Sequence, residues 1–129
     1  MVAHPGVTQS LDQKRAGFAW EKVNGVHSGV LEKYANLAKG APSLIMGNGL
    51  MQTLAFYKSK NEKHHEELLR HVLEWLSHKE SPCHSFIPES DFQKAMDALS
   101  RLDSSQYIQA THEALAILKW IRQFASARK

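Results

Sequence analysis

The chain is short of several things, and each shortage removes a class of protein. Its 129 residues include a single cysteine, Cys83. No internal disulfide is therefore available, which fits a reducing, cytoplasmic setting. The opening stretch MVAHPGVTQSLDQKR has no apolar core, so no signal peptide is expected. No run of about 18 apolar residues occurs, so nothing is expected to span a membrane. Low-complexity tracts and repeats with a period of 20–50 residues are missing too. What remains is one domain of ordinary globular composition, 43% hydrophobic and 22% charged. Residues 1–9 read as a flexible tail.

Charge is modest in total and uneven along the chain. The net charge is +3. Residues 1–32 balance. Residues 33–61 hold Lys33, Lys39, Lys58 and Lys60 and no acid, for +4. Residues 62–103 carry −4, and residues 104–129 carry +3. If the two basic tracts share a flank, they form a positive face able to attract a polyanion. The alternative is a solvated surface with no partner.

Helical spacing dominates. Ser10 and Gln13 form a capping-box pair ahead of a first helix. Ala16, Ala19, Trp20 and Val23 then mark its expected buried face. Ser28 is the expected cap of a second helix, with Val30, Leu31, Tyr34, Leu37 and Ala38 inward. Gly40 and Pro42 read as its end. The stretch PSLIMGNGLMQTLAFYKSK (42–60) carries NG, a hairpin signal. Its apolar residues do not alternate, however, so a central helix from Ser43 is the better reading. The two glycines Gly47 and Gly49 would then serve close packing. Leu68, Leu69, Val72, Leu73 and Leu76 stripe a fourth helix. A proline-containing loop over 80–90 follows, then a short helix with Phe92, Ala95, Met96 and Leu99, expected to be capped by Ser90. A closing helix, capped by Ser104 or Ser105, carries Tyr107, Ala110, Ala114, Leu118, Ile121 and Ala125. The expected fold is all-α, a single bundle of five to six helices.

Catalytic chemistry is not visibly provided for. His64, His71 and His78 share a stripe, but successive members are about 10.5 Å apart along a helix axis. One metal ion cannot be ligated by that stripe, and neither HExxH nor CxxC spacing occurs. No metal and no cofactor is expected, and these histidines read as solvated. A GxSxG elbow and a phosphate-binding glycine loop are both lacking. Glu66, Glu67 and Glu74 read as a solvated face, so the chain is not expected to be an enzyme. Asn48 and Gln52, four residues apart, can donate and accept hydrogen bonds, and Lys58 and Lys60 follow them. They suit sequence-independent contact with phosphate and sugar. Capping a neighbouring helix or loop is an equal alternative for the amides.

The stretch 42–60 closely resembles the signature of the small helical subunit of the type III-B CRISPR–Cas effector, the Cmr complex. QKRAGFAWEKV (13–23), KYANLAKGAP (33–42) and YIQATHEALAILKWIRQFASA (107–127) are similar to other parts of that family. The resemblance implies a non-catalytic subunit of an RNA-guided, RNA-targeting complex used in antiviral defence. Copies would stack as a minor filament beside the crRNA-binding backbone subunits and the large subunit. The implied partners are thus crRNA–target RNA, the other Cmr subunits and further copies of the chain. The RNA-contacting residues it suggests are Lys14, Arg15, Asn48, Gln52, Lys58, Lys60, Lys119 and Arg122. Trp120 could stack on a base but reads better as partial core. The competing expectation is a protein–protein brace that never touches RNA.

Overall fold

In the computed structural model, which describes residues 8–129, six helices and no strand are present among the described residues. They are α1 (Leu11–Asn24), α2 (Ser28–Asn48), α3 (Leu50–Lys60), α4 (Lys63–Leu76), α5 (Phe92–Ser100) and α6 (Ser104–Arg128). Most of the tail expected over residues 1–9 lies outside the described residues. Ser10 caps α1 by accepting from the Gln13 backbone N–H, and the Gln13 side chain answers on Ser10, as the sequence pattern required.

The long helices α2 and α6 run through the centre. At about 1.5 Å per residue they span roughly 32 and 37 Å. α6 lies against α1, α2 and α4, and α2 also packs on α3 and α4. Small residues make these contacts close: Ala35, Ala38 and Ala41 on α2, and Ala110, Ala114 and Ala125 on α6, are all fully buried. The expected stripe of α4 is buried in full, joined by Trp75. The loop after α4 is held by Cys83 and Ile87, both buried. Burial raises the Cys83 thiol to about 11, so it is protonated and unreactive at neutral pH.

Several readings of the sequence change. α2 does not stop at Gly40 and Pro42 but continues to Asn48 with Pro42 inside it. A proline within a helix costs about 3 kcal/mol or more. Here its inner stripe of Leu31, Tyr34, Ala35, Ala38, Ala41 and Ile45 buries apolar surface on both sides of the proline. The real break is Gly49, with φ 89° and ψ 162°, a region open essentially to glycine. Nothing lies within 4 Å of where a Cβ would stand at Gly47 or Gly49, so neither glycine serves close packing within this chain. Nor is this segment apolar-buried on most sides, since Met46 is 75% and Phe56 48% exposed.

The other changes are smaller. Trp20 is 53% exposed, and Phe18 takes the inward position instead, packed against Trp75. Asp103 caps α6 in a capping box with Gln106, and Asp91 caps α5, in place of the neighbouring serines. His71 is buried rather than solvated.

Candidate nucleic-acid interface

The eight residues expected to meet RNA fall into different environments. On α1, Lys14 reaches Glu80 at 3.0 Å. Arg15 grips Glu113 with Nε and Nη2 at 2.6 and 2.8 Å, and Asp12 with Nη1 at 3.3 Å. Glu113 is only 4% exposed and also accepts from Trp75 Nε1 at 2.7 Å. The Arg15 side chain keeps 18% of its surface exposed. Hydrogen bonding to Glu113 raises its proton affinity further. A fork-on-carboxylate pair with an indole N–H as third partner satisfies most of the polar atoms that folding buries there. Arg15 is thus a tie between α1 and α6, and no sequence pattern had marked Glu113 as its partner.

On α6, Lys119 and Arg122 are exposed. Trp120, between them, is half-buried, as expected for partial core. Its Nε1 donates to Asp12 at 3.0 Å, the main reason that carboxyl stays below its ordinary value. Trp120 stacks on Phe124, which meets exposed Trp20 edge-on at 5.1 Å. Arg128, part of the basic tail of the chain, turns inward and donates to the Val23 and Val26 carbonyls at the end of α1.

The break at Gly49 organises the remaining four. Asn48 ends α2 and Gln52 lies in the first turn of α3, so they do not share one helix. The bend still brings them together, both exposed, around a depression of about 230 Å³ with Leu44, Thr53 and Phe56. Thr53 pins the bend from inside, donating from Oγ1 to the Gly49 carbonyl at 2.9 Å. Tyr107 of α6 pins it from outside, accepting from the Met51 N–H at 3.0 Å. Lys58 and Lys60 occupy the last turn of α3, where the helix dipole favours cations. Their ammoniums sit 5.6 Å from the Phe92 ring and 5.4 Å from the Phe56 ring. Lys58 borders a cavity of about 500 Å³ that also presents Lys63, Arg70, Glu66 and Glu67, a lining of mixed sign.

Among the described residues, Lys58, Lys60, Lys119 and Arg122 have no carboxylate within 4 Å, whereas Lys14 and Arg15 do. The cations therefore divide into a tied pair on α1 and untied groups on α3 and α6.

Known proteins share this arrangement of helices. The family model for CRISPR-associated protein (Cas_Cmr5) matches residues 11–128, nearly the whole chain. This chain belongs to the Cmr5 family. The curated CRISPR system Cmr subunit Cmr5 of Thermus thermophilus is 28% identical over 110 residues, which cover 84% of this chain and 87% of that one. The crystal structure of a CRISPR-associated Cmr5 family protein from Thermus thermophilus superposes with a TM-score of 0.76 at 27% identity. The match covers 93% of this chain and 97% of that one. The resemblance read in residues 42–60 thus extends over the whole Cmr5-type bundle, from α1 to α6.

Two polar groups escaped the sequence reading. One is the buried pair of Tyr34 and His71, with the Tyr34 hydroxyl 2.7 Å from His71 Nδ1. Nε2 of His71 faces the acceptor-only Glu67 carboxylate at 3.4 Å, so the ring proton belongs on Nε2 and the tyrosine donates to Nδ1. Burial, with Arg70 and Lys22 nearby, lowers His71 to about 3. The other is Glu62, His64 and His65 at the start of α4, which come together although spacing had argued against metal ligation.

Proposed function

We propose that this chain is the small, non-catalytic subunit of a type III-B Cmr effector complex. In this reading it associates with the other Cmr components, stacks with its own copies as a minor filament, and helps to hold target RNA paired to the guide. The observation that carries the RNA contact is the set of cations without carboxylate partners, beside two exposed amides at the Gly49 bend. Ammoniums and amides grip phosphate and ribose without reading bases, as a channel for any guide requires. Lys58, Lys60, Asn48 and Gln52 form one group, and Lys119 and Arg122 the other. Lys14 and Arg15 are left out because their charges are already matched. No helix among the described residues is long and apolar enough to cross a membrane.

A second reading, the brace without RNA contact, draws support from the exposed apolar side chains Met46, Phe56 and Trp20. These suit contact with another subunit. Replacing both Lys58 and Lys60 by glutamate separates the two. Target-RNA association by the assembled complex should weaken while the complex still assembles. Full RNA binding by that double variant would favour the brace, and loss of assembly would place the lysines at a subunit contact.

A further inference from the structure

Glu62, His64 and His65 bring one ligand atom each to within 4.8 Å of one another. Glu62 is the N-cap residue of α4 and keeps half of its side chain in solvent. His64 is half-buried, and His65 is buried with 6% exposure. Nδ1 of His65 is inaccessible and has no hydrogen-bond partner. It faces Glu62 Oε1 at 3.7 Å, too far for a hydrogen bond. Tyr57, whose own hydroxyl is buried and unpartnered, closes one side by packing edge-on against the His65 ring at 5.5 Å. His64 covers another side, its ring 4.3 Å away. A buried polar atom left without a partner is uncommon and calls for a missing one.

We propose that Glu62, His64 and His65 form a site for a divalent transition cation of the zinc class, with one carboxylate oxygen and two imidazole nitrogens as ligands. One carboxylate and two imidazoles are a donor set that such ions take, with a fourth position left to water. Ligands about 2.1 Å from a tetrahedral ion stand about 3.4 Å apart. Closing the present spread to that value requires rotation of Glu62 and His64, which keep part of their surface in solvent, about a buried His65. Opposing charge comes from Lys60, which acts on His65, from Lys33, which borders Glu62 and His64 across the α2 side, and from the positive end of α4. These charges lower the affinity expected for a cation.

The test uses the untagged full chain, freed of metal by a chelator. Calorimetric titration with Zn²⁺ should give one site per chain, and Co²⁺ should develop the visible absorption of a four-coordinate ion. Glu62→Gln and His64→Ala should each weaken binding at least tenfold. His112→Ala, at an exposed position on α6, should leave it unchanged. Excess Zn²⁺ should raise Tm in the parent chain and not in the first two variants. Glu62 and His64 are chosen because neither is buried, so their variants keep the fold. Three results would overturn the site: no Zn²⁺ binding at high micromolar concentration, equal binding by all variants, or several weak sites that reflect surface histidines only.

Discussion

Lys14 and Arg15 on α1 and Lys58 and Lys60 on α3 are alike as sequence, two closely spaced cations in each case, yet they have opposite surroundings. The α1 pair meets carboxylates from the loop after α4 and from α6, and Arg15 is drawn into an interior network with Glu113 and Trp75. The α3 pair lies over aromatic rings, exposed, with no carboxylate within 4 Å among the described residues. A cation's role follows from what the fold sets opposite it. On α1 the charge is used to join helices. On α3 it stays at the surface, without an ion-pair partner among the described residues.

Removing Glu113 should have the largest effect on this contrast. Glu113→Ala leaves Arg15 and the Trp75 N–H without their acceptor in the interior, and stability should fall by about 3–5 kcal/mol in urea denaturation. A loss below about 1 kcal/mol would mean that the Arg15–Glu113 pair does not hold α1 to α6. The second interior polar group gives a pH signature. His71 is lowered to about 3 in the folded chain, against about 6.5 when unfolded. Between these values the unfolded chain binds the extra proton. Its contribution to stability is therefore complete above about pH 6.5 and declines as pH falls, by at most about 1.4 kcal/mol per pH unit. Urea midpoints measured from pH 4 to 7 should show that slope, and His71→Gln should flatten it.

The bend that carries the exposed group offers a smaller and opposite pair of effects. Gly49→Ala should destabilise by about 1–3 kcal/mol, because an L side chain is strained at φ 89°. Gly47→Ala lies in helix with open space around it and should stabilise by about 0.4–1 kcal/mol. Thermal melts of the two variants that moved in the same direction would contradict the placement of the break. Last, changing Lys58 and Lys60 to alanine should alter stability by no more than about 0.5 kcal/mol. In the assembled complex the same change should flatten the salt dependence of RNA binding by about 1.4 in log–log slope, about 0.7 for each lost phosphate contact. Lys14→Ala should leave that slope unchanged.

Local rules read well where a local cause decides. The Ser10–Gln13 box and the Leu68–Leu76 stripe needed only neighbouring residues and were legible. The Gly40–Pro42 stop was misread because burial along α2, a tertiary effect, outweighs one lost hydrogen bond and a ring clash. Gly49 looked like one of two equivalent weak points, since composition does not reveal which glycine takes positive φ. For the candidate interface, residue types and the order of the charged tracts could be read. The carboxylate facing each cation could not, because Arg15 and Glu113 stand 98 positions apart.

The linear order of residues was enough to settle the helical class, the apolar stripe of α4 and the likeness of residues 42–60 to one family, all of which depend on short-range spacing. Which cations are tied and which stand free, and which histidines are buried, emerged only from the packed helices. So did the meeting of Asn48 and Gln52 across a bend. Each of these depends on what distant segments bring opposite a side chain, and the strength of a charge or hydrogen bond is set by that neighbour and by the loss of water around it.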